Sequence, residues 1–316
     1  MNNFRKIGLS ALAGSLVATS AFAGEMSVAG SASVNLEHIN GGAANAGKSF
    51  SMGNQLTFSG SGELDNGLNV ALSFVIDQGD DELAAETSPF DSHSVTISSD
   101  GLGSVKFSGE GGSSAVSALD TTAAGDIWDA FDIASTVHPT GVGGGSNSIF
   151  YTLPSMADDL AVTASYTPTG SGTDSAMSYA ATYSGVEGLS VSYGVGDDTS
   201  VGNKGEGTAM KASYAMGSFT VAYSDYSFDT TGTSSDDDTT SYKLSYTVSD
   251  EMSISYGSET VERGTLKDGE YDSISASYTT GGMTVSAYMK EAENMDGTTT
   301  ATQDREVWGL GLSFAF

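Results

Sequence analysis

Cysteine is absent from all 316 residues, so no disulfide can compensate for a small core. Basic side chains are scarce: 11 Lys and Arg stand against 40 Asp and Glu, a formal charge of −29. Phosphate backbones are held by basic patches, which excludes nucleic acid as a partner. Histidine occurs three times, as His38, His93 and His138, and neither a G-x-S-x-G nucleophile elbow nor a G-x-G-x-x-G phosphate loop accompanies it. The expectation is a protein that is not an enzyme. Beyond residue 23 no apolar run approaches the ~20 residues that a membrane-spanning helix needs. A barrel escapes that test, because only alternate residues of its strands face lipid.

The chain opens with Arg5 and Lys6, then "IGLSALAGSLVATSAFA", which ends on the small-x-small site Ala21-Phe22-Ala23. Residues 1–23 therefore read as a signal peptide, and 24–316 as the exported unit. Without Arg5 and Lys6 the formal charge is −31, from 9 basic and 40 acidic side chains. An exported chain of this size without disulfides needs a core, a lipid solvent or an oligomer to stabilise it.

What is abundant points to strands. With 41 glycines and 14 tyrosines the composition disfavours helix interiors. The closing stretch "EVWGLGLSFAF" places Trp308, Leu310, Leu312, Phe314 and Phe316 on one face and small residues on the other. In Gly67 to Asp77, Leu68, Val70, Leu72, Phe74 and Ile76 share a face. This period of two runs through the exported unit and predicts sixteen strands, near 25–36, 49–64, 67–77, 91–99, 103–109, 146–154, 159–167, 175–184, 188–196, 206–215, 218–228, 238–248, 251–260, 269–279, 282–291 and 303–316.

Short turns such as "DNG", "MG" and "TGG" alternate with polar loops such as "DDTSVGNKGE" and "DTTGTSSDDD". That asymmetry between ends is what an all-β, transmembrane, antiparallel barrel of sixteen strands requires, whereas an open sheet of that size would expose edges. Tyr183, Tyr214, Tyr246 and Tyr278 each end a strand before a short turn, and Phe314 and Phe316 fall at the matching end of the last strand. Rings with a polar handle favour a membrane-water boundary, so these residues are expected to form an aromatic girdle. Lys106, Lys211, Lys243, Lys290 and Arg305 fall opposite the apolar files and are expected to point into the lumen. Asp225, Glu270, Asp272 and Glu306 break that rule near long loops, and His93 breaks it without an evident reason.

With its leader, strand and loop order and C-terminal aromatic strand ending in Phe316, the chain resembles the general porins of Gram-negative bacteria, and most the alphaproteobacterial porin family. The resemblance implies a passive outer-membrane channel for small hydrophilic solutes, a homotrimer, and Phe316 as part of the signal read by the assembly machinery. It also implies contact with outer-membrane lipid and lipopolysaccharide.

Glu110 to Gly145 is far longer than any other connection, and Ile127, Trp128, Phe131 and Ile133 make it too apolar for a disordered segment. By position it resembles the porin loop that folds into the barrel and narrows the channel. "DIWDAFD" predicts a short helical turn with Ile127 and Phe131 on one side. The expected constriction pairs the loop acids Glu110, Asp120, Asp126, Asp129 and Asp132 with the wall bases Lys106, Lys290 and Arg305, giving a transverse field. The alternative is that these acids are solvated loop charges. Carboxylates outnumber wall cations, which predicts mild cation preference. Asp197-Asp198 and Asp236-Asp237-Asp238 have the oxygens for loosely held Ca2+, or for ions bridging to lipopolysaccharide phosphates, but lack EF-hand spacing; no cofactor or resident metal is expected. Two other readings remain open: a surface barrel or adhesin that does not conduct, and a substrate-specific channel.

Overall fold

Aromatic and β-branched residues at every second position fit a pleated surface and crowd a helix, and they set the architecture. The computed structural model describes residues 26–41, 47–77, 90–131, 142–155, 157–168, 175–198, 205–230, 237–295, 297 and 304–316. Residues 1–23, expected from the sequence to be a leader, and Asp132, Ile133 and His138 lie outside the described residues. The strands are β1 (Met26–Asn40), β2 (Gly47–Glu63), β3 (Asn69–Asp77), β4 (Phe90–Ser99), β5 (Gly103–Glu110), β6 (Ser148–Thr152), β7 (Leu160–Thr167) and β8 (Ala176–Val186) in the first half. The second half holds β9 (Leu189–Asp198), β10 (Gly205–Met216), β11 (Phe219–Thr230), β12 (Asp237–Thr247), β13 (Met252–Arg263), β14 (Gly269–Thr280), β15 (Met283–Glu293) and β16 (Arg305–Ala315). Each lies on a segment expected from the sequence, with ends shifted by a few residues. Every neighbour pair is antiparallel, and β1 pairs with β16, so the sheet closes on itself and has no edge.

The seam runs from Ser31 opposite Ala315 to Asn40 opposite Glu306. Beyond it, the Phe316 amide donates to the Gly30 carbonyl at 3.0 Å, and the Gly30 amide donates back at 2.7 Å. The Phe316 ring lies over Gly30 so closely that a Cβ there would come within 2.3 Å of it. A side chain on residue 30 would have to displace that ring, which is 77 % exposed and free to turn.

The two faces separate as the alternation demands. On β16, Trp308, Leu310 and Phe314 are exposed outward, while Arg305, Val307, Gly309 and Gly311 are buried inward. Tyr183, Tyr214, Tyr246, Tyr278 and Phe314 are all exposed on the outer face near the short turns. Asp225 and Asp272, outward near the long-loop end, accept hydrogen bonds from Tyr223 and Tyr256 at 3.1 and 2.6 Å, which partly offsets the cost of their placement. His93 lies outward on the rung of Phe74, and the β4–β5 ladder shifts beside it, which sets Glu110 opposite His93 and leaves Gly109 as the extra residue. A Cβ on Gly109 would fall 2.0 Å from the His93 Nε2.

Among the described residues, buried apolar clusters occur inside the cylinder, between the long β5–β6 connection and the wall. One joins Ile127 and Phe131 to Val261, Tyr271, Ala292, Met295 and Val307. The other joins Val116 and Val142 to Ala209, Tyr226 and Phe228. The barrel's core is therefore the seat of its loop.

Candidate functional site

The connection from β5 to β6 leaves and returns through a narrow neck. Gly145 donates its amide to the Gly112 carbonyl at 2.7 Å, and Asn147 donates to Gly109 at 3.2 Å. From that neck the chain turns inward and runs along the inner wall, donating backbone amides to wall hydroxyls as it goes. Ala115 donates to Ser165 of β7 at 3.0 Å and to Ser178 of β8 at 2.8 Å. Ala123 donates to Ser224 of β11 at 2.7 Å, and Ala124 to Ser241 of β12 at 2.9 Å. Irregular backbone inside a barrel needs partners for its polar groups, and small inward serines supply them while leaving room for the chain.

Glu259 of β13 holds the next segment. It is 1 % exposed, accepts the Thr122 hydroxyl, and accepts the Trp128 amide at 3.2 Å. Thr122 in turn caps its own loop: its Oγ1 accepts the Asp126 amide at 2.7 Å, and its amide donates to the Asp126 carboxylate at 2.9 Å. Asp126 adopts the left-handed conformation, φ 53°, that this reciprocal turn needs. The chain then forms a 3-10 turn, Ile127–Phe131, whose Ile127 and Phe131 pack on β13 to β16. The Phe131 and Tyr271 rings meet at 5.9 Å between centroids.

Charges gather around this turn. Asp129 of the turn shares a cavity of about 340 Å³ with Glu37 and Ile39 of β1, Ala130, Phe131, and Arg305 and Val307 of β16. Arg305 is 5 % exposed. Lys290 sits 5.3 Å from the centre of the Tyr288 ring, where Glu259, Glu37, Asp129 and Asp126 attract its ammonium. The Tyr288 hydroxyl donates to Glu37. Lys211 of β10 donates to the Thr121 carbonyl and so serves the loop backbone. In the loop itself, burial and the neighbouring Asp126 push the Asp120 carboxyl up to about 6, against the opposing pull of Lys211.

Of the residues singled out from the sequence, Asp129 and Arg305 line one cavity, Asp126 and Asp129 lie near Lys290, and Asp120 on the same loop lies near Lys211 of β10. Asp132 lies outside the described residues. Lys106 stands on the inner face of β5, opposite Thr96 and Phe150, where the loop departs. Glu110 is corrected: the bulge sets it opposite His93, on the rung that His93 shares with outward Phe74, and away from the loop acids. The wall is not simply basic either, since Glu259 and Glu37 face the loop beside Lys290 and Arg305. Sequence reading missed Glu259, Glu37 and the serine row. Glu259 carried one available signal, an acid between Gly257 and Val261 on an inward file.

Away from the loop, the inner wall of the first strands is lined by Ser27, Ser59, Ser61, Ser73, Ser94 and Thr96. This face offers hydroxyls without charge, a surface that water wets and that has no strong hold on a solute.

A profile described as Gram-negative porin matches residues 8–270. No curated protein sequence matches the chain. Among solved structures, an anion-selective porin from Comamonas acidovorans superposes with a TM-score of 0.72 at 15% identity, covering 92% of this chain and 99% of that one. A triple mutant of the Rhodopseudomonas blastica porin superposes with a TM-score of 0.67 at 17% identity, over 92% of this chain and 100% of that one. At these identities the likeness is one of fold.

Proposed function

The chain belongs to the Gram-negative porin family, a family of channels and not of enzymes, and from that premise we propose how its inner loop governs passage. The protein is a passive diffusion channel of the outer membrane for small hydrophilic solutes and ions. Residues 110–145 act as the sieve, with Asp120, Asp126 and Asp129 biasing the gap by charge and Lys290 and Arg305 supplying the opposing field. The observation that carries this reading is the row of contacts from Ser165 to Glu259, which fixes the loop along one wall and leaves the hydroxyl-lined wall of β1 to β4 facing the remaining lumen.

Lys211 is engaged by the loop backbone and Lys290 stands among carboxylates, which leaves Arg305 and Lys106 against the more numerous acids. Mild cation preference follows, opposite to the selectivity named for the Comamonas protein. Reversal potentials of the purified channel in a KCl gradient test it, and a clear anion preference would overturn it. The channel is a homotrimer in this reading, seated among outer-membrane lipid and lipopolysaccharide, with Phe316 read by the assembly machinery. Unheated gel electrophoresis of the detergent-extracted protein tests the trimer, which should migrate at three times the mass of the heated chain.

A further inference from the structure

We propose that the cavity between the 3-10 turn and the β1–β16 seam binds a zwitterionic α-amino acid with an apolar side chain. The inference rests on the channel reading, which brings solutes to the cavity. At about 340 Å³ the space lies within the ~300–1,000 Å³ of small-molecule sites. Its floor carries Arg305, 95 % buried, whose Nε has no hydrogen-bond partner. A buried donor nitrogen without an acceptor is costly and calls for an explanation, and the terminal nitrogens of the same guanidinium are the ones a solute can meet. Asp129 and Glu37 line the same cavity, yet neither comes within the 4.0 Å of an ion pair with Arg305. Opposite charges thus flank a gap that they do not close by themselves.

A ligand carboxylate fits the planar guanidinium with two parallel hydrogen bonds. An ammonium one carbon away donates to Asp129, and to Glu37, whose carboxylate keeps acceptor sites beyond the one taken by Tyr288. Ile39, Ala130, Phe131 and Val307 supply the apolar remainder of the lining, which takes a branched aliphatic side chain. A simple cation leaves Arg305 unsatisfied, and a simple anion meets the repulsion of two carboxylates. Only a solute carrying both signs answers both walls.

The test uses the full-length purified channel in planar bilayers with KCl, and adds leucine, 3-methylbutylamine or 4-methylpentanoate at rising concentration. Leucine is expected to interrupt the current saturably, while each single-charge analogue needs at least a tenfold higher concentration for half effect. R305Q should raise the half-saturating leucine concentration at least tenfold. Because Arg305 is buried and its replacement can impair folding, D129N on the exposed turn is the second variant, with an expected rise of at least threefold. Equal potency of leucine and the amine, equal potency of leucine and the acid, or an unchanged leucine response in D129N overturns the proposal. A channel that conducts KCl without any saturable leucine effect also overturns it and leaves the channel reading standing. A folded barrel that carries no KCl current refutes the channel reading and the proposal together.

Discussion

Replacing Glu259 with Ala removes the one carboxylate that ties the middle of the loop to the wall. The Thr122 hydroxyl and the Trp128 amide lose their acceptor. Hydrogen bonds to a charged acceptor contribute about 1.5–3 kcal/mol each, so the gross loss is roughly 3–6 kcal/mol. Two effects reduce it: lumen water can replace an acceptor, and the substitution removes the cost of burying the carboxylate itself. A net loss of about 2–3 kcal/mol remains, which multiplies the open population of residues 122–131 by roughly 30 to 150. The apolar seat of Ile127 and Phe131 and the serine contacts persist, so the barrel stays intact. Hydrogen exchange followed by mass spectrometry should show the Trp128 segment exchanging at least 30-fold faster in E259A, with the strands unchanged. E259Q keeps an acceptor oxygen and should lie between the two. Exchange of residues 122–131 at the wild-type rate would refute the assignment of Glu259 as the latch.

Further outcomes follow from other parts of the structure. Leu310 lies outward at the middle of β16 and Ser73 inward at the middle of β3; L310K should cost about 2–4 kcal/mol in lipid-refolding titrations, whereas S73K should fold normally and shift the reversal potential toward anions. G30V puts a side chain where the Phe316 ring sits, and because that ring is exposed and can swing aside, the temperature at which the folded band converts on gels should fall only slightly; failure to fold contradicts the seam geometry. Asp120, raised to about 6, holds its proton in the folded loop above the ordinary carboxylate range, so its contribution to stability is largest at low pH and declines as pH rises from about 4 through 6. The same ionisation adds a negative charge to the lumen, so cation preference should climb between pH 5 and 7 in the wild type and stay flat in D120N.

The strands were legible because alternation is a local property. Leu72 and Phe74 against Val75, or Trp308 and Leu310 against Val307, reveal their faces without knowledge of any neighbour. The inward loop was legible as an insertion with apolar anchors, and Ile127 and Phe131 do pack together. What holds the loop was not, because Ser165, Ser178, Ser224 and Ser241 are ordinary small residues on inward files until the loop's course selects them. Their partners lie 50 to 117 residues away. Glu110 was misplaced for a related reason: one extra residue at Gly109 changes the face, and parity counting assumes that no bulge intervenes.

The pairing of Gly30 with Phe316 also fixes the order in which this protein can become itself. Each of the other strand pairs joins segments that are neighbours in the chain, so hairpins can form as soon as both halves exist. The final juncture unites residues 286 positions apart and carries the largest closure entropy of the sheet. Until it forms, both rims of the sheet stay open to foreign strands, and loss of Phe316 would remove the ring that covers Gly30 and two of the bonds that lock the cylinder.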